Sequence, residues 1–575
     1  MQLRSKRRCV ALRDGSNKYF FRKFIKPYAH TIAFLIALEF VSMIFLFISP
    51  LLTKSLIDDV FLGGRTELFG YILLGTAGTY IVSSLSTYFS GYKRGELELN
   101  IFNNVASETF NAIQFASLGK SQEIKVGDLL SRILANTRSA INIFTLVIPQ
   151  FVINAIYIIT PLAIMLFYNA QLTFIVMIPA LLFLLPMSFF GKRLERTQRE
   201  SLVKNAKVYS FLKESLSMIS LIKVFGLERW SQDKFDEQMK GYYDASLDYA
   251  RNNSMGSSVS SLLYGIPMIL IILFGGPMVM QGSLTIGTFA LFMSNAALVF
   301  SPILQISLLW SSYKSSSPAL DRVKEVFQLE KDSGGDKSLM VMDGVVTFDD
   351  VWFSYNNRQI LQGFNATFEK GLNYILGDNG TGKSTILKLL CSLYPLDKGH
   401  IRIDGQDISN AKRDDLRKNI SMIFSEPYLF DGSIYENIRI GNLSASKEEV
   451  FHAAKLMRLH DFIRSLPQGY DTQVGENGLR LSSGEKQKIA LTRVVLKNSP
   501  IVLLDEVTKS VDDDSRRSIN EVIKNLKDKK TIIIITHNIN EIEQGSNIVY
   551  LGQNSQRKDR IPHSINAPIS NGVFS

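Results

Sequence analysis

The sequence predicts two domains of different kinds, a helical membrane domain of six long spans followed by an α/β domain with a phosphate-binding loop. Apolar runs long enough to cross a hydrocarbon layer of roughly 30 Å recur through the first half of the chain. The second half instead carries a glycine-rich loop at residues 377–385, between a short apolar strand and a helix. With 575 residues, the chain is long enough for two or more domains.

The membrane spans follow from composition. Hydrophobic residues make up 46% of the chain and the mean hydropathy is +0.09, which is high for a soluble protein. Each of six apolar runs is long enough to cross the bilayer as a helix. These runs are Thr31–Leu52, Leu68–Phe89, Phe144–Phe167, Leu172–Phe190, Val259–Met280 and Ile286–Leu309.

The distribution of lysine and arginine predicts the orientation of these spans. The segment before the first span is strongly basic, and so is the segment from Lys192 to Arg251 between spans four and five. The connections on the opposite side hold few basic residues, such as Lys54 and Arg65. By the positive-inside rule, we expect a multi-pass inner (plasma) membrane protein with both termini in the cytoplasm. Basic segments beside anionic lipid headgroups largely explain the formal charge of +11, so we expect membrane lipid as a partner and no nucleic acid.

Two long polar insertions separate span two from span three and span four from span five. Apolar residues such as Phe211, Leu212 and Leu216 recur in them at three- and four-residue spacing, and prolines are few. This pattern is typical of helices. We therefore expect both insertions to be helical excursions away from the membrane.

The loop at residues 377–385 predicts a nucleotide site. A strand at Asn373–Leu376 leads into it and a helical run at Ser384–Leu393 follows, which disfavours a plain glycine turn. Its glycines allow positive φ, so that backbone N–H groups can approach phosphate oxygens. Lys383 brings a cation to the β- and γ-phosphates, and Ser384 offers a hydroxyl to Mg²⁺. The expected ligands are therefore ATP and Mg²⁺.

A second segment supplies carboxylates for the same chemistry. Ile501–Leu504 is a continuous apolar run, typical of a strand buried on both faces, and it ends in Asp505 and Glu506. We expect Asp505 to orient Mg²⁺ through water and Glu506 to accept the proton of an attacking water. The alternative is a solvated acidic pair at the end of a strand.

Further segments make that alternative less favourable. Leu481-Ser482-Ser483-Gly484-Glu485 precedes a helical run at Lys486–Leu496, and His537 follows an apolar strand at Thr531–Ile535. In this order the segments resemble those of an ATP-binding-cassette (ABC) ATPase. Together with the six spans, the chain from about Phe20 to Leu551 resembles an exporter-type ABC half-transporter, the architecture of multidrug, lipid and peptide exporters.

The resemblance implies roles for individual residues. Residues 377–385 are then the Walker A loop, residues 481–485 the signature and residues 509–512 the D-loop, while Glu506 and His537 are catalytic. Tyr355 stacks on adenine, and the metal is held by Ser384 and, through water, by Asp505. The implied nucleotide-binding residues are Tyr355, Gly377, Asp378, Asn379, Gly380, Thr381, Gly382, Lys383, Ser384, Thr385, Ser425, Ser482, Ser483, Gly484, Asp505 and Asp512.

The resemblance also implies a domain-swapped dimer, because in this family the signature of one subunit faces the phosphate loop of the other. The chain has its own Lys383, Asp505, Glu506 and His537, so a second copy of the same chain is the expected partner, with a heterodimer left open. Each helical excursion is expected to rest on an ATPase domain through a short coupling helix, near Ala116–Val126 and near Leu212–Ser220.

The predicted boundaries are a basic N-terminus at 1–29, a transmembrane domain at 30–313, a linker at 314–344, an ABC nucleotide-binding domain at 345–556 and a polar tail at 557–575. Ser315–Ser317 and residues 333–336 are the expected breaks in the linker. The tail is expected to be disordered. Three positions depart from the family pattern. The signature has Ser483 and Glu485, and Ser425 stands where the family has the Q-loop glutamine.

The sequence contains the least information about the transported substrate. A carboxylate inside a span is costly unless it faces protein or water, so Glu39 is either a cavity residue or part of a structural hydrogen-bond network. The favoured function is export of a small amphipathic peptide or hydrophobic toxin. A lipid flippase or multidrug exporter of the same fold, and an ATP-gated channel or regulator that does not pump, are the alternatives. The candidate cavity residues are Glu39, Tyr80, Tyr88, Asn154, Tyr264, Asn295 and Gln305.

Overall fold

The structure is a computed structural model that describes residues 18–119, 124, 126–332, 334–355, 358–509, 511–551 and 569–571. Within these ranges, the side chains at 179–192, 260, 263, 264, 297, 300, 304, 307 and 569–571 are not described. The chain divides into two compact units. The helical unit comprises Met1–Asn111 and Val126–Gln328, and the α/β unit comprises Ala112–Lys125 and Leu329–Ser575.

The described part of the helical unit consists of long helices, several of them joined by wider π-type turns. The π-type turns are Phe21–Ile25, Leu56–Leu62, Arg132–Asn136, Ile143–Val147 and Ile271–Gly275, and a 3-10 turn covers Lys26–Tyr28. The α-helices are α1 (Ala29–Ser55), α2 (Leu68–Gln114), α3 (Val126–Ser131), α4 (Thr137–Asn142), α5 (Ile148–Tyr168), α6 (Ala170–Ser217), α7 (Ile219–Val224), α8 (Glu228–Leu270), α9 (Gly276–Met280) and α10 (Ile286–Phe327).

Continuous helices coincide with the predicted spans. Among the described residues, four helices are long and apolar enough to cross a membrane, namely Lys18–Leu62, Leu68–Gln114, Val126–Tyr168 and Ile286–Phe327, and they contain predicted spans one, two, three and six. Span four lies on α6, and span five lies on α8 and α9. Both spans include residues whose side chains are not described. At 1.5 Å per residue, α2, α6 and α8 extend well past a bilayer of roughly 30 Å, so the polar insertions continue the membrane helices, as expected.

The start of α10 is fixed by polar contacts. The Thr285 side chain caps the helix by accepting a hydrogen bond from the Thr288 N–H at 3.1 Å. Asp58 accepts two more, from the Gly287 N–H at 2.7 Å and from the Thr285 hydroxyl at 2.6 Å. A carboxylate at a helix N-terminus is favoured because it satisfies free N–H groups and opposes the positive end of the helix dipole.

The structure corrects the predicted break at Ser315–Ser317, since these serines lie inside α10, which continues to Phe327. The reason is tertiary packing. Leu320 and Val323 are buried in a cluster with Phe24, and Phe327 packs at its edge. That burial outweighs the weak helix preference of three successive serines.

The second predicted coupling segment spans a helix end and the start of the next helix. We expected it near Leu212–Ser220, whereas α6 runs to Ser217 and the short helix α7 covers Ile219–Val224. Gly226, with φ of 62°, then begins the return into α8. The first segment lies partly outside the described residues, which end at 119 and resume at 124 and 126. Its described part belongs to the α/β unit, where Leu118 packs on the core and Ala116 pairs with Lys331.

The α/β unit is built on two sheets. A four-stranded antiparallel sheet has the order β2-β1-β4-β5, and a six-stranded parallel sheet has the order β10-β9-β3-β8-β7-β6. The strands are β1 (Val346–Tyr355), β2 (Arg358–Phe368), β3 (Gly371–Gly377), β4 (Lys398–Ile403), β5 (Gln406–Asp407), β6 (Ile420–Ile423), β7 (Ile501–Asp505), β8 (Thr531–Ile535), β9 (Asn547–Leu551) and β10 (Ile569–Asn571).

The helices of this unit cover the parallel sheet on both faces. Alternate strand residues point to opposite faces, as Ile533 and Ile534 show by joining two separate buried clusters. The α-helices are α11 (Lys383–Leu390), α12 (Arg413–Asn419), α13 (Ile434–Arg439), α14 (Lys447–Leu456), α15 (His460–Ser465), α16 (Ser483–Lys497) and α17 (Asp513–Leu526). Short 3-10 turns lie at Ile408–Asn410, Gly469–Asp471, Glu476–Gly478 and Ile539–Glu541.

The structure also corrects the tail in part. For residues 557–575 the polar composition predicts disorder, but Ile569–Asn571 forms β10, parallel to Ile548–Tyr550 of β9. Strand β9 would otherwise leave one edge unpaired, and an unpaired edge is a ready template for another strand.

Candidate nucleotide-hydrolysis site

The parallel sheet brings the predicted site residues to one edge. Strands β3 and β7 flank β8, so that Ile375 and Asp505 both stand opposite Ile535. Because the strands are parallel, their carboxyl ends meet at the same edge of the sheet. The glycine-rich loop, the Asp505–Glu506 pair and His537 all follow these ends.

The loop after β3 has the backbone that its glycines permit. Gly377, Gly380 and Gly382 have φ of 149°, 80° and 94°. At Gly377 a Cβ atom would lie 2.1 Å from the Leu551 carbonyl oxygen, and at Gly382 it would lie 2.7 Å from Ile360. Glycine is therefore required at both positions, for conformation and for space.

The Lys383 side chain folds back and hydrogen-bonds to the start of the loop. Its Nζ atom donates to the carbonyl oxygens of Gly377 at 2.9 Å and Asp378 at 2.8 Å. Burial lowers the pKa of the Lys383 ammonium, although the carboxylates of Glu506, Asp378 and Asp505 act in the opposite direction. The remaining loop residues surround this lysine: Asp378, Asn379 and Gly380 are exposed, Thr381 is half-buried and Thr385 is buried on α11.

Ser384 and Asp505 form a pair of oxygen donors beside the loop. The Ser384 hydroxyl donates to Asp505 Oδ1 at 3.1 Å. Burial raises the pKa of the Asp505 carboxyl, and the neighbouring Glu506 charge adds to this effect. A hydroxyl and a buried carboxylate suit Mg²⁺, which prefers oxygen ligands and keeps several of its waters.

Glu506 is held on both of its carboxylate oxygens. Oε1 lies 2.6 Å from His537 Nε2, and Oε2 lies 2.7 Å from Lys509 Nζ. Its backbone has φ of 50°, a left-handed conformation that is strained for a residue with a side chain and that is concentrated at functional sites. Burial acts to raise the pKa of Glu506, but the Lys509 hydrogen bond and the charges of His537 and Lys509 outweigh it and lower the pKa.

A buried carboxylate behind this site joins its two loops. Glu541 Oε2 accepts hydrogen bonds from Thr508 at 2.9 Å and from Thr536 at 3.0 Å. Thr508 follows Glu506 and Thr536 precedes His537, so Glu541 links the two segments that carry these side chains. The cavity beside these residues has a volume of about 340 Å³.

The signature segment opens α16. Ser482 accepts from the Glu485 N–H at 3.3 Å, and the Glu485 carboxylate accepts from the Ser482 N–H at 2.7 Å, which is a capping box. Glu485, a departure from the family pattern, therefore has a local structural role. At Gly484 a Cβ atom would lie 3.0 Å from the Ser515 hydroxyl and 3.1 Å from Asp512 Oδ1, so the signature and the D-loop pack together. Ser482, Ser483 and Asp512 are exposed.

The contacts described above thus form separate groups. A hydrogen bond joins Ser384 of the phosphate loop to Asp505, Glu506 contacts His537 and Lys509, and the signature packs against Asp512 and Ser515.

Ser425 lies on an exposed segment after β6 that is tied to α16. Its carbonyl oxygen accepts from Gln487 Nε2 at 3.0 Å. Arg493 donates to the Tyr428 carbonyl at 2.6 Å and to the Asn437 carbonyl at 2.6 Å. Burial lowers the pKa of Arg493 to about 10. The backbone of the Ser425 segment is therefore positioned by the signature helix.

Tyr355 lies at the end of β1 in a group of three aromatic rings. Its ring centroid is 4.7 Å from that of Phe353 and 5.2 Å from that of Tyr394, both edge-on. A Cβ atom added at Gly119 would lie 3.5 Å from the Tyr394 ring, and Tyr394 packs in the core that Leu118 joins. The Tyr355 ring, which is expected to stack on adenine, is thus held by aromatic neighbours. These neighbours belong to a core that includes Leu118 of the first excursion.

Among the candidate cavity residues, Glu39 has the most partners. It forms an ion pair with Arg94, and its carboxylate accepts from Ser90 at 3.0 Å and from Gln150 at 3.4 Å. The side chains of Glu39 and Arg94 are only 15% and 24% exposed. This is the hydrogen-bonded arrangement that the sequence left open as one of two possibilities, and it joins α1, α2 and α5.

Of the other candidates, Asn154 is linked to Glu39 through Gln150, whose side chain donates to Glu39 and whose carbonyl accepts from Asn154. Tyr80, Tyr88 and Gln305 are exposed, and the Tyr264 side chain lies outside the described set. Asn154 and Asn295 are buried, and each donates to the carbonyl four residues earlier, Asn154 to Gln150 at 2.7 Å and Asn295 to Leu291 at 3.0 Å.

Sequence reasoning placed Lys509 in the D-loop without its contact to Glu506, and it missed Glu541, Gln487, Arg493 and Arg94. The Lys509 contact could have been found, because three residues separate Lys509 from Glu506 across a turn. The other four act over 33 to 65 residues of sequence or between separate helices, so only the fold brings them to their partners.

Fold and site together define a membrane protein with a phosphate-loop ATPase in the same chain. Residues 32–303 match the family model described as ABC transporter transmembrane region, and residues 361–509 match the one described as ABC transporter. The chain therefore belongs to the ABC transporters, as an exporter-type half-transporter with one membrane domain and one ATPase domain. It is a multi-pass membrane protein that couples ATP hydrolysis to transport.

Relatives and a solved structure agree with this assignment. The chain is 28% identical to a candidate multidrug export ATP-binding/permease protein, YgaD, of Bacillus subtilis, over 92% of this chain and 94% of the relative. It is 27% identical to the ATP-dependent lipid A-core flippase of Syntrophus aciditrophicus, over 89% and 87%. A bacterial Atm1-family ABC exporter with ATP bound has the same fold, with a TM-score of 0.78 and 24% identity over 92% of this chain and 94% of that one.

Proposed function

We propose that this half-transporter exports a small amphipathic peptide or hydrophobic toxin across the inner membrane, driven by ATP hydrolysis in a homodimer. The observation that carries the proposal is the set of catalytic groups at one sheet edge: Lys383 in the loop, Ser384 bonded to Asp505, and Glu506 held by His537. Because the same chain contains long apolar helices, the process that this hydrolysis drives is proposed to take place in the membrane.

Two groups of contacts support the dimer. The signature and Asp512 pack with each other, whereas the hydrogen bond from Ser384 of the phosphate loop goes to Asp505. A second copy would bring its Ser482 and Gly484 to the γ-phosphate held by Lys383. Because each ATP would then contact both copies, ATP binding favours the closed dimer and hydrolysis releases it.

The chemistry assigned to each group follows from its environment. Lys383 neutralises phosphate charge as the bond to the γ-phosphoryl group breaks. Glu506 accepts the proton of the attacking water, and His537 holds the carboxylate in place through its 2.6 Å contact. Mg²⁺, held by Ser384 and through water by Asp505, would neutralise charge on the β- and γ-phosphates.

The charge state of the membrane domain favours an amphipathic or hydrophobic substrate. Glu39 is neutralised by Arg94, so this part of the helical unit presents no net charge to attract a cation. One relative is named for multidrug export and another as a lipid A-core flippase, and a cargo of the same general kind is proposed for this chain. The basic segments put both termini in the cytoplasm, where ATP is present.

Substrate-stimulated ATP hydrolysis tests the proposal. The full-length protein in lipid is screened against amphipathic peptides, lipids and hydrophobic dyes, with Glu506→Gln as the inactive control. The proposal expects saturable stimulation by an amphipathic peptide or hydrophobic toxin. Stimulation by lipids alone would assign a flippase instead, and hydrolysis that responds to none of them would contradict a pump of this class.

A further inference from the structure

Glu541 accepts hydrogen bonds from the residues on both sides of His537. The Thr536 hydroxyl donates to Glu541 Oε2 at 3.0 Å, and Asn538 Nδ2 donates to Glu541 Oε1 at 3.4 Å. The Thr536 hydroxyl also accepts from the Asn538 N–H at 3.1 Å. The two chain neighbours of His537 are therefore bonded to each other and to one carboxylate, which limits the positions that the imidazole can take.

The same carboxylate also binds the segment that carries Glu506. The Thr508 hydroxyl donates to Glu541 Oε2 at 2.9 Å, so a single oxygen atom accepts from Thr508 and Thr536 together. Both threonines are buried. His537 Nε2 lies 2.6 Å from Glu506 Oε1, so the segments on the two sides of this contact share one hydrogen-bond acceptor.

Glu541 is itself held from two directions. Its side chain is only 11% exposed, and Arg516 Nε lies 3.8 Å from its Oε1 atom. Its backbone carbonyl accepts from the Tyr374 hydroxyl, on β3, at 3.1 Å. A nearly buried carboxylate is costly unless its charge is paired and its oxygens accept hydrogen bonds, and both conditions are met here. Glu541 is therefore a fixed point beside His537, whose side chain is 37% exposed.

We propose that Glu541 is a positioning residue that keeps His537 in contact with Glu506. It acts through the hydrogen bonds that Thr508 and Thr536 share on its Oε2 atom. This inference rests on the proposed function, because it requires Glu506 to be the general base and His537 to hold it. Misplacing a catalytic group by about 1 Å can cost on the order of 10²-fold in rate. Loss of Glu541 should therefore lower turnover while the phosphate loop still binds ATP.

The test compares Glu541→Met, which removes both carboxylate oxygens at similar length, with Glu541→Gln, whose amide oxygen can still accept from both threonines. Thr508→Val removes one of the two hydroxyls and is measured alone and together with Glu541→Met. Glu543→Met is the matched control, because Glu543 is a neighbouring carboxylate that pairs with Lys527 instead. The turnover number and the Michaelis constant for ATP are measured on the full-length protein in lipid, and thermal unfolding checks that each variant is folded.

We expect Glu541→Met to lower the turnover number about tenfold with an unchanged Michaelis constant for ATP, a smaller loss than removal of the base itself would cause. Glu541→Gln should retain most of the parent turnover, and Glu543→Met should leave it unchanged. Thr508→Val should lower turnover less than Glu541→Met does. Adding Thr508→Val to Glu541→Met should cause no further fall, because both substitutions remove the same contact.

Three results would overturn the inference. If Glu541→Met turns over like Glu543→Met, the Glu541 carboxylate has no positioning role. If the Michaelis constant for ATP rises as turnover falls, Glu541 supports the whole ATP site and not the contact between His537 and Glu506. If the effects of Glu541→Met and Thr508→Val multiply in the double variant, the shared hydrogen bonds do not carry the effect.

A second variant decides the matter if Glu541→Met does not fold. In that case Thr508→Val alone must lower turnover with an unchanged Michaelis constant, and parent values for both would overturn the inference. Near-normal turnover of Glu506→Gln would instead overturn the proposed function, so the two failures are distinguishable.

Discussion

Asp332 holds the chain that leaves the last membrane helix against the ATPase domain. Its carboxylate pairs with Arg413 Nε at 2.8 Å and with Arg417, both on α12. Its backbone N–H donates to the Phe115 carbonyl at 2.8 Å, and the Ser117 N–H donates to the Glu330 carbonyl at 2.8 Å. One residue thus ties together the linker, the first excursion and the cassette, so its loss should loosen this junction.

Asp332→Asn should destabilise the α/β unit by about 2–3 kcal/mol. Asp332 and Arg413 are only 16% and 18% exposed, so breaking this pair should cost most of that free energy. Arg417 is 50% exposed, and its pair should contribute at most about 1 kcal/mol. For a domain of this size, 1 kcal/mol moves the midpoint by about 2–4 °C, so the midpoint should fall by about 4–12 °C.

Thermal unfolding of the full-length protein in detergent, followed by intrinsic fluorescence, measures this shift. Asp343→Asn is the control, because Asp343 is an exposed aspartate of the same linker. A midpoint for Asp332→Asn that equals that of the control would refute the assignment of stabilising energy to the two arginine pairs.

Three further predictions concern the binding and coupling residues. Lys383→Ala should weaken ATP binding, measured by a fluorescent ATP analogue, because it removes the loop cation; unchanged affinity would contradict its role. Glu39→Gln should lower the melting temperature of the full-length protein, since it removes the charge that pairs with Arg94, and the charge-removing double substitution Glu39→Gln with Arg94→Met should restore part of it. Ser425→Gln should raise basal turnover with little change in ATP affinity, because serine is too short to reach the metal and attacking water. If Ser425→Gln is slower than the parent and Glu426→Ala abolishes hydrolysis, Glu426 is the metal ligand instead.

Much of the site could be predicted because its residues lie at the ends of buried strands. Parallel strands align their carboxyl ends, so Gly377, Asp505 and His537 had to meet once β3, β7 and β8 were recognised. The glycines of the loop likewise predicted a backbone with positive φ at these positions. In both cases the local pattern and the tertiary structure agree.

The remaining features depend on packing that a local pattern does not contain. Three successive serines predicted a break at Ser315–Ser317, but burial of Leu320 and Val323 keeps α10 helical. Glu39 could be recognised as a carboxylate in a span, whereas its partner Arg94 lies on another helix. Such pairs become visible only when the crossing of the helices is known.

The central claim is that Glu506-dependent ATP hydrolysis drives transport. The most direct measurement is ATP-dependent accumulation of the stimulating substrate in proteoliposomes, compared between the parent and Glu506→Gln, with ATP binding measured in parallel. We predict accumulation against a gradient by the parent, and for Glu506→Gln intact ATP binding with hydrolysis and accumulation lower by at least on the order of 10²-fold. Accumulation by Glu506→Gln at the parent rate, or flux in the parent that only runs down the gradient, would contradict the account.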